Sequence, residues 1–303
     1  VLYLRPDDDL PLRQRQFQAC LIPPLAVDAL TAIALEPQLN AHAIQGALVV
    51  PQGHVHGGKT VNAYLRALER RGGTIKIAAV QGLVHAPTGI TGIHTPTEPL
   101  LAPRVILATG GYSRSLLAPF HLSLPLYFTH AIALSTPYTT ERLRCMVMPA
   151  DLQQRPALES RASQVDWQTP QEQCLGTVLE AGAVQFLDGH CFFGQISQLV
   201  PAVTYRPDLT QAQQTLQTAI ADILPRLALL PTTCHHCLVA FTPNPFPLVG
   251  NVPSLPGLSL FTGFTHPLVY APPLARRFAQ WLGGHPDPVI TAIAAPLQTL
   301  EAK

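Results

Sequence analysis

The spacing of apolar residues predicts three amphipathic helices in this chain. In each helix the apolar side chains lie three or four positions apart and therefore share one face. The first helix is defined by Val61, Tyr64, Leu65 and Leu68, the second by Leu216, Ile220, Ile223 and Leu227, and the third by Leu274, Phe278, Trp281 and Leu282. Double glycines at 72–73 and 283–284 end the first and third helices. Pro272 and Pro273 fit the first turn of the third helix, where no backbone N–H is needed.

Apolar runs between these helices predict β-strands. The segment 104–109 is almost continuously apolar, which is typical of a strand covered on both faces, and 74–80 alternates like a strand. Other predicted elements are a short helix at 25–35, strands at 47–50, 234–241 and 258–262, a hairpin at 89–95, and short β segments between 122 and 199. Helix and strand thus come first, an antiparallel-looking insert follows, and strand and helix return, which favours two interleaved layers.

Composition restricts the class of protein. The chain has 303 residues, of which 47% are hydrophobic, so it can form one large or two ordinary domains. A net charge of +1 and 12% charged residues give no basic stripe, and we expect no nucleic-acid partner. No apolar run reaches the roughly 18 residues of a membrane helix, so we expect no membrane span. The six cysteines are scattered, which indicates reduced thiols and a cytoplasmic protein.

Two segments have features that suit a bound ligand. The first, 104–113, reads RVILATGGYS, a strand that ends in small residues, so that a ligand can approach the backbone closely. The second, 242–271, reads TPNPFPLVGNVPSLPGLSLFTGFTHPLVYA and leads into the third predicted helix. A helix that begins after a glycine loop presents free N–H groups and the positive end of its dipole.

Together these two segments resemble the D-amino-acid oxidase/glycine oxidase family of FAD-dependent oxidoreductases. The resemblance implies an α/β fold with an antiparallel β-rich insert. A Rossmann-like FAD-binding domain would consist of residues 40–118 and 240–303, and a β-rich substrate domain of residues 1–39 and 119–239. The resemblance extends over almost the whole chain, from about the fourth strand of the family fold onward. We therefore expect that roughly 80 to 100 residues of that fold, including its first βαβ unit, are missing from the front of this chain.

The resemblance also implies which residues contact FAD. Those that match its cofactor-binding positions are Val80, Thr109, Gly110, Tyr112, Gly263, Phe264, Thr265, His266, Pro267 and Leu268. Any strand valine would look like Val80, and an ordinary glycine turn would look like Gly110. His266 is the one candidate catalytic residue, as a polar contact near the flavin, although a loop histidine facing solvent fits the same pattern. In this family hydride passes from the substrate to the flavin, so no acid–base pair is required.

Three departures from the family pattern bear on function. No G-x-G triplet, which would hold the FAD pyrophosphate, occurs in the chain. The position of the arginine that binds the substrate carboxylate holds Val239, which cannot form a bidentate pair. The aspartate of the Asp-x-x-Pro motif is replaced by Asn244. Arg142 or Arg144, in the β-rich insert, is an alternative source of the missing positive charge.

These features predict an FAD-dependent oxidoreductase that oxidises a small amine or amino acid, with O₂ as acceptor. Two alternatives stay open. In the first alternative, the chain is a truncated or degenerate relative without activity. In the second, it is one half of a split flavoprotein whose complementary N-terminal chain is supplied separately. Missing strands would leave apolar edges exposed, so we expect the isolated chain to be poorly soluble or to form homo-oligomers.

The run Cys234-His235-His236-Cys237 has the C-x-x-C spacing found in many zinc sites. On a strand, however, Cys234 and His236 would point to one face, and His235 and Cys237 to the other. Four side chains on two faces cannot bind one metal ion. We therefore expect no metal site here, and none elsewhere in the chain.

Overall fold

The computed structural model describes residues 1–164, 174–200, 203–242 and 246–299. Backbone contacts divide the chain into two compact units, each discontinuous in sequence. Unit 1 consists of Val1–His56 and Thr129–Leu238, and unit 2 of Gly57–Phe128 and the chain from Val239 onward. The assignment of FAD-binding and substrate roles, with the domain boundaries given above, stays a prediction.

The described residues contain the following strands: β1 (Leu2–Leu4), β2 (Leu25–Asp28), β3 (Gly46–Val49), β4 (Gly82–Ala86), β5 (Gly89–His94), β6 (Leu100–Leu101), β7 (Val105–Leu107), β8 (Tyr127–Ser135), β9 (Met148–Pro149), β10 (Gly176–Gln185), β11 (Cys191–Val200), β12 (Thr233–Phe241), β13 (Leu248–Asn251) and β14 (Leu258–Thr262). Their helices are α1 (Leu10–Gln16), α2 (Ala29–Leu35), α3 (Gly57–Arg70), α4 (Ser113–Leu117), α5 (Gln154–Ser160), α6 (Leu209–Ile223), α7 (Pro267–Leu282) and α8 (Pro288–Ala294). The predicted mixed α/β fold is confirmed. None of these helices is long and apolar enough to cross a membrane.

Unit 1 is built on two four-stranded sheets, ordered β2-β3-β1-β9 and β10-β11-β8-β12. Helix α6 begins after Asp208, whose carboxylate accepts a hydrogen bond from the N–H of Gln211. The predicted apolar face of α6 is buried in the core of the unit, together with Ile132 and Phe193. This confirms the second predicted helix, except that Leu227 lies in a separate 3₁₀ turn, Leu227–Leu229, after its end.

Unit 2 contains two three-stranded sheets, ordered β13-β14-β7 and β4-β5-β6. Strand β14 pairs in parallel with β7 and antiparallel with β13. A hairpin is present, but it is formed by β4 and β5 and begins at Gly82, so the predicted stretch 89–95 covers only its second strand. Leu274 and Phe278 of α7 are buried, and Trp281 and Leu282 pack against the same cluster, so the predicted face of the third helix is also confirmed.

The predicted strand at 74–80 is wrong. These residues are irregular, and no strand in the described part of the chain pairs with them. Ile77 is 99% exposed. An alternating pattern forms a strand only where a neighbouring strand satisfies its backbone hydrogen bonds, and for this segment the described residues offer none.

Unit 2 also exposes an apolar surface. Helix α3 confirms the first predicted helix, yet none of its residues is buried, and Tyr64 is 57% exposed. The expected covering of β7 on both faces is wrong, because Val105 and Leu107 are buried whereas Ile106 is 46% exposed. We call the exposed apolar residues of the helix, which are Val61, Tyr64, Leu65 and Leu68, the α3 face.

Three further boundaries differ from the sequence prediction. Residues 25–28 form a strand, and α2 begins only after Asp28, whose carboxylate caps it. The β-rich insert contains strands of nine or ten residues, β8, β10 and β11, instead of short segments only. Helix α7 begins at Pro267, so Pro272 and Pro273 lie inside it, and α8 follows. Proline at the first helical position explains that earlier start.

Candidate functional site

The parallel pairing of β7 and β14 brings the two segments that suit a ligand to one sheet edge. Leu107 lies opposite Leu260 in the register of the two strands. Because the strands run in the same direction, their carboxyl ends, at Thr109–Gly110 and Thr262–Gly263, lie at the same edge. Ligands of open α/β sheets bind outside the carboxyl ends of the strands.

Buried hydroxyl groups connect the two strand ends. The Thr262 hydroxyl donates to the Gly110 carbonyl at 2.9 Å and accepts from the Ser113 hydroxyl at 3.3 Å. The Ser113 and Thr109 hydroxyls are 2.9 Å apart. Thr262 is 1% exposed, and Ser113 is fully buried. Buried hydroxyls are costly unless they are hydrogen-bonded, so this network fixes the positions of both strand ends.

The two glycines at the strand ends differ in their surroundings. At Gly263 any side chain would clash with a neighbour, whereas the space beside Gly110 is open. Gly263 has a φ of +77°, and a Cβ atom there would lie 2.5 Å from a methyl carbon of Thr242. Gly110 has a φ of +53°, and a Cβ atom there would meet nothing within 4 Å. The backbone at Gly110 is therefore accessible to a flat ligand, as contact with a flavin ring requires.

The α7 N-terminus follows Gly263 after three residues. Pro267 and Leu268, which precede the predicted first turn at Pro272, are the first residues of the helix. His266 is exposed, occupies the N-cap position without a side-chain capping bond, and lies with its ring 6.4 Å from that of Tyr270. Phe264 is half-buried, with its ring 4.7 Å from that of Phe261. The first turn thus presents its positive dipole end beside exposed apolar side chains: Leu268, Val269 and Tyr270.

The remaining predicted site residues lie apart from this hydrogen-bond network. Val80 is in the irregular segment before β4 and is partly exposed, whereas the exposed Tyr112 lies in the 3₁₀ turn after Gly110. Thr265 is half-buried between Phe264 and the helix. Val239 lies near the end of β12, and Asn244 lies outside the described residues.

Arg114 is a charged residue near the site that sequence analysis missed. Its guanidinium donates to the Leu126 carbonyl at 3.2 Å and lies 5.6 Å from the centre of the Phe128 ring. Leu126 is also close to the position that a Cβ atom of Gly263 would occupy. Burial lowers the Arg114 pKa from its ordinary value. An arginine four residues after the Gly110 turn was the available signal.

The two alternative arginines have local partners in unit 1. Arg142 donates to the Thr139 and Glu141 carbonyls, and its guanidinium lies 5.6 Å from the centre of the Tyr138 ring. The Arg144 guanidinium donates to the Ala34 carbonyl at 3.5 Å, and its backbone N–H donates to the carboxylate of the buried Glu36. Both residues thus have structural roles in the β-rich unit.

The run Cys234–Cys237 lies on β12, and its two histidines point to opposite faces. His236 Nδ1 is 2.7 Å from His130 Nε2, whereas His235 Nε2 is 2.7 Å from the Ser135 hydroxyl. Burial raises the pKa of both cysteine thiols. The alternation expected from the sequence is confirmed, and these four side chains do not converge on one point.

Comparison with known proteins identifies the family. Residues 1–281 match the sequence profile of the FAD dependent oxidoreductase (DAO) family, and the chain belongs to that family. Over 213 residues it is 26% identical to a glycine oxidase of Pseudomonas aeruginosa, which corresponds to 70% of this chain and 50% of that protein. The chain therefore spans about half the length of this curated relative.

Solved structures share the fold. A glycine oxidase from Geobacillus kaustophilus superimposes with a TM-score of 0.73 and 16% identity, over 93% of this chain and 68% of that one. An L-proline dehydrogenase from P. horikoshii gives a TM-score of 0.75 and 16% identity, over 98% and 75%. At such low identity the similarity establishes the fold alone.

Proposed function

We propose that this chain is part of an FAD-dependent oxidoreductase that oxidises a small amine or amino acid, as glycine oxidases do, with O₂ as acceptor. The family match over residues 1–281 carries this proposal. The shared edge of β7 and β14, with an accessible glycine backbone and a helix N-terminus, supports it. All six cysteines are free, which fits the cytoplasm as the site of action.

The residues at this edge fit the flavin end of FAD. Gly110 would let the ring approach the backbone, and Gly263, packed against Thr242, would turn the chain toward α7. Thr109 and Thr265 would offer hydroxyls, and the first turn of α7 would lie along the ring. Bound FAD supplies the electron-accepting ring. The positive end of the α7 dipole would stabilise negative charge on that ring, with His266 as a polar neighbour. The contacts of Val80, Tyr112, Phe264, Pro267 and Leu268 with the cofactor belong to the same proposal.

The substrate side of the proposal rests on Val239 and Asn244. Valine cannot bind a carboxylate, and an arginine is needed to do so with two parallel hydrogen bonds. A small amine without a carboxylate therefore suits Val239 better than an amino acid does. If the substrate is an amino acid, another cation must bind its carboxylate.

An anaerobic reduction assay tests this function. The chain is saturated with FAD and mixed with glycine, sarcosine, proline or small alkylamines, while the flavin absorption band is recorded. We expect at least one amine to bleach the band, and we expect O₂ to restore it with release of hydrogen peroxide. Retention of FAD without bleaching by any amine would contradict the oxidase assignment.

The uncovered α3 face supports a second candidate, in which the chain is one half of a split flavoprotein or an inactive relative. Amphipathic helices normally bury their apolar side against another element. We propose that an additional polypeptide segment covers this face. The segment would be rich in apolar residues and would contribute strands to one of the two unit 2 sheets. Addition of such a complementary N-terminal chain would then restore FAD binding, whereas an inactive relative would not respond.

A further inference from the structure

Three side chains in unit 1 form a cluster that the proposed flavin chemistry does not use. His56, Asp188 and His190 each place one potential ligand atom within 4.8 Å of the other two. His56 and His190 are half-buried and Asp188 is exposed, so the cluster lies at the surface. Two imidazoles and a carboxylate are a common ligand set of divalent transition metals.

The β10–β11 hairpin positions two of these residues. The Gly189 N–H donates to the Phe186 carbonyl at 2.9 Å, and the Phe186 N–H donates to the His190 carbonyl at 3.0 Å. Gly189 has a φ of +88°, and a Cβ atom there would lie 2.6 Å from the Tyr138 ring. Glycine is therefore required between Asp188 and His190, and this tight turn puts both side chains beside each other.

An aromatic side chain holds the imidazoles in place. The Phe186 ring stacks on His190 with a centroid separation of 5.0 Å and lies 4.9 Å from the His56 ring. Asp188 contacts His190 Nδ1. This contact keeps the Asp188 carboxylate and the His190 ring beside each other, as two ligands of one ion must be.

We propose that His56, Asp188 and His190 bind a zinc-type divalent cation, with water in the remaining positions. Ligand atoms at the Zn–N distance of about 2.0–2.1 Å from a tetrahedral ion are about 3.3 Å apart, so modest side-chain rotations suffice. Imidazole ligands favour Zn²⁺, Ni²⁺ or Cu²⁺ over Mg²⁺, which prefers oxygen. This proposal departs from the sequence expectation of no metal.

Bound metal would link two distant parts of unit 1. His56 lies at the end of the segment that follows β3, and Asp188 and His190 lie in the β10–β11 turn. A ligand that binds only the folded state stabilises it by mass action. We therefore expect a structural metal site that holds this segment against the β10–β11 hairpin. Metal binding at this site does not depend on FAD binding.

Isothermal titration calorimetry of the tag-free full chain with Zn²⁺ tests the site. We expect one ion per chain with a micromolar Kd, a higher Tm in Zn²⁺, and no response to millimolar Mg²⁺. His190→Ala, Asp188→Ala and His56→Ala should each weaken binding at least tenfold. His56→Ala removes a ligand outside the hairpin, so it keeps the test valid if the His190 variant does not fold.

Two controls separate this site from other zinc ligands. The double variant Cys234→Ser/Cys237→Ser removes the C-x-x-C thiols, and His285→Ala removes an exposed histidine of unit 2. Both should bind Zn²⁺ as the wild type does. Binding weaker than millimolar, or wild-type affinity in the His56 and Asp188 variants, would overturn the proposal.

Discussion

The hydroxyl of Thr262 donates a hydrogen bond to the main-chain carbonyl of Gly110, a residue 152 positions earlier in the chain. This bond joins the ends of two parallel strands, β7 and β14. It therefore couples the two segments from which sequence analysis inferred a flavin site. The geometry of one segment depends on the other, and this dependence can be tested by mutation.

Replacement of Thr262 by valine keeps the shape of the side chain but removes its hydroxyl. We expect the free energy of unfolding to fall by about 1–3 kcal/mol, because the buried Gly110 carbonyl loses its donor and the Ser113 hydroxyl keeps only Thr109 as a partner. We also expect weaker FAD retention. Ser259→Ala is the matched control, since Ser259 is equally buried on β14 and donates to Asn251 instead. If both variants retained FAD like the wild type, Thr262 would not position the flavin segments.

Replacement of Gly263 by alanine should be more destabilising than an ordinary glycine substitution. An L-residue with positive φ costs about 1–2 kcal/mol, and the new Cβ atom would also overlap the Thr242 methyl group. Gly284→Ala is the control, because its φ is +92° with nothing within 4 Å of a Cβ atom. Urea unfolding should show a larger loss for Gly263→Ala, and equal losses would contradict the close packing.

His130 should make the stability of unit 1 depend on pH. It is 4% exposed, and its Nδ1 has no hydrogen-bond partner in the described structure. Burial, and then the nearby His236 and Arg206, lower its pKa below the ordinary value of 6.5. The unfolded state therefore binds more protons as the pH falls through about 6.5, so stability is present above that pH and lost below it.

The variant His130→Phe removes this titration. Its free energy of unfolding should change less between pH 7.5 and pH 5.5 than that of the wild type. Leu134→Val, a substitution at another buried residue of β8, should lower stability at both pH values by the same amount, about 1 kcal/mol. An unchanged pH dependence in His130→Phe would show that His130 is not responsible.

The α3 face should promote self-association of the isolated chain. The double variant Tyr64→Gln/Leu68→Gln removes two exposed apolar side chains and should shift the particle size toward the monomer, with a change in stability of no more than about 0.5 kcal/mol. Arg66→Gln, a polar substitution on the same helix, is the control. Light scattering measures the particle size of each variant. A monodisperse wild-type monomer would contradict the prediction.

Local patterns predicted the helices, whose backbone hydrogen bonds are internal, even where the apolar face is exposed as in α3, and they predicted strands whose partners are also in the described chain. Helix α6 and strand β14 were predicted closely because periodicity and neighbouring structure agree. The segment 74–80 has the pattern of a strand but no strand beside it, and periodicity cannot reveal whether a partner exists. Pro272 and Pro273 misplaced the α7 start, because proline marks a first turn more often than a helix interior.

The candidate site could be predicted only in part for the same reason. Glycine turns and strand ends are local signals, so Gly110 and Gly263 were identified from the sequence. The Thr262–Gly110 bond and the position of Arg114 beside Leu126 depend on tertiary contacts that no local pattern records. The cluster of His56, Asp188 and His190 joins segments far apart in sequence, so no local spacing indicates it. The C-x-x-C spacing of Cys234 and Cys237 is a local signal, although these side chains form no metal site.

Flavin binding by the purified chain is the most direct test of the central claim. The visible absorption spectrum is recorded after incubation with FAD and gel filtration, for the wild type and for Thr262→Val. We expect flavin bands that co-elute with the wild-type chain, alone or together with a complementary N-terminal segment, and weaker bands for Thr262→Val. A colourless protein under both conditions would contradict the assignment of β7 and β14 as a flavin site.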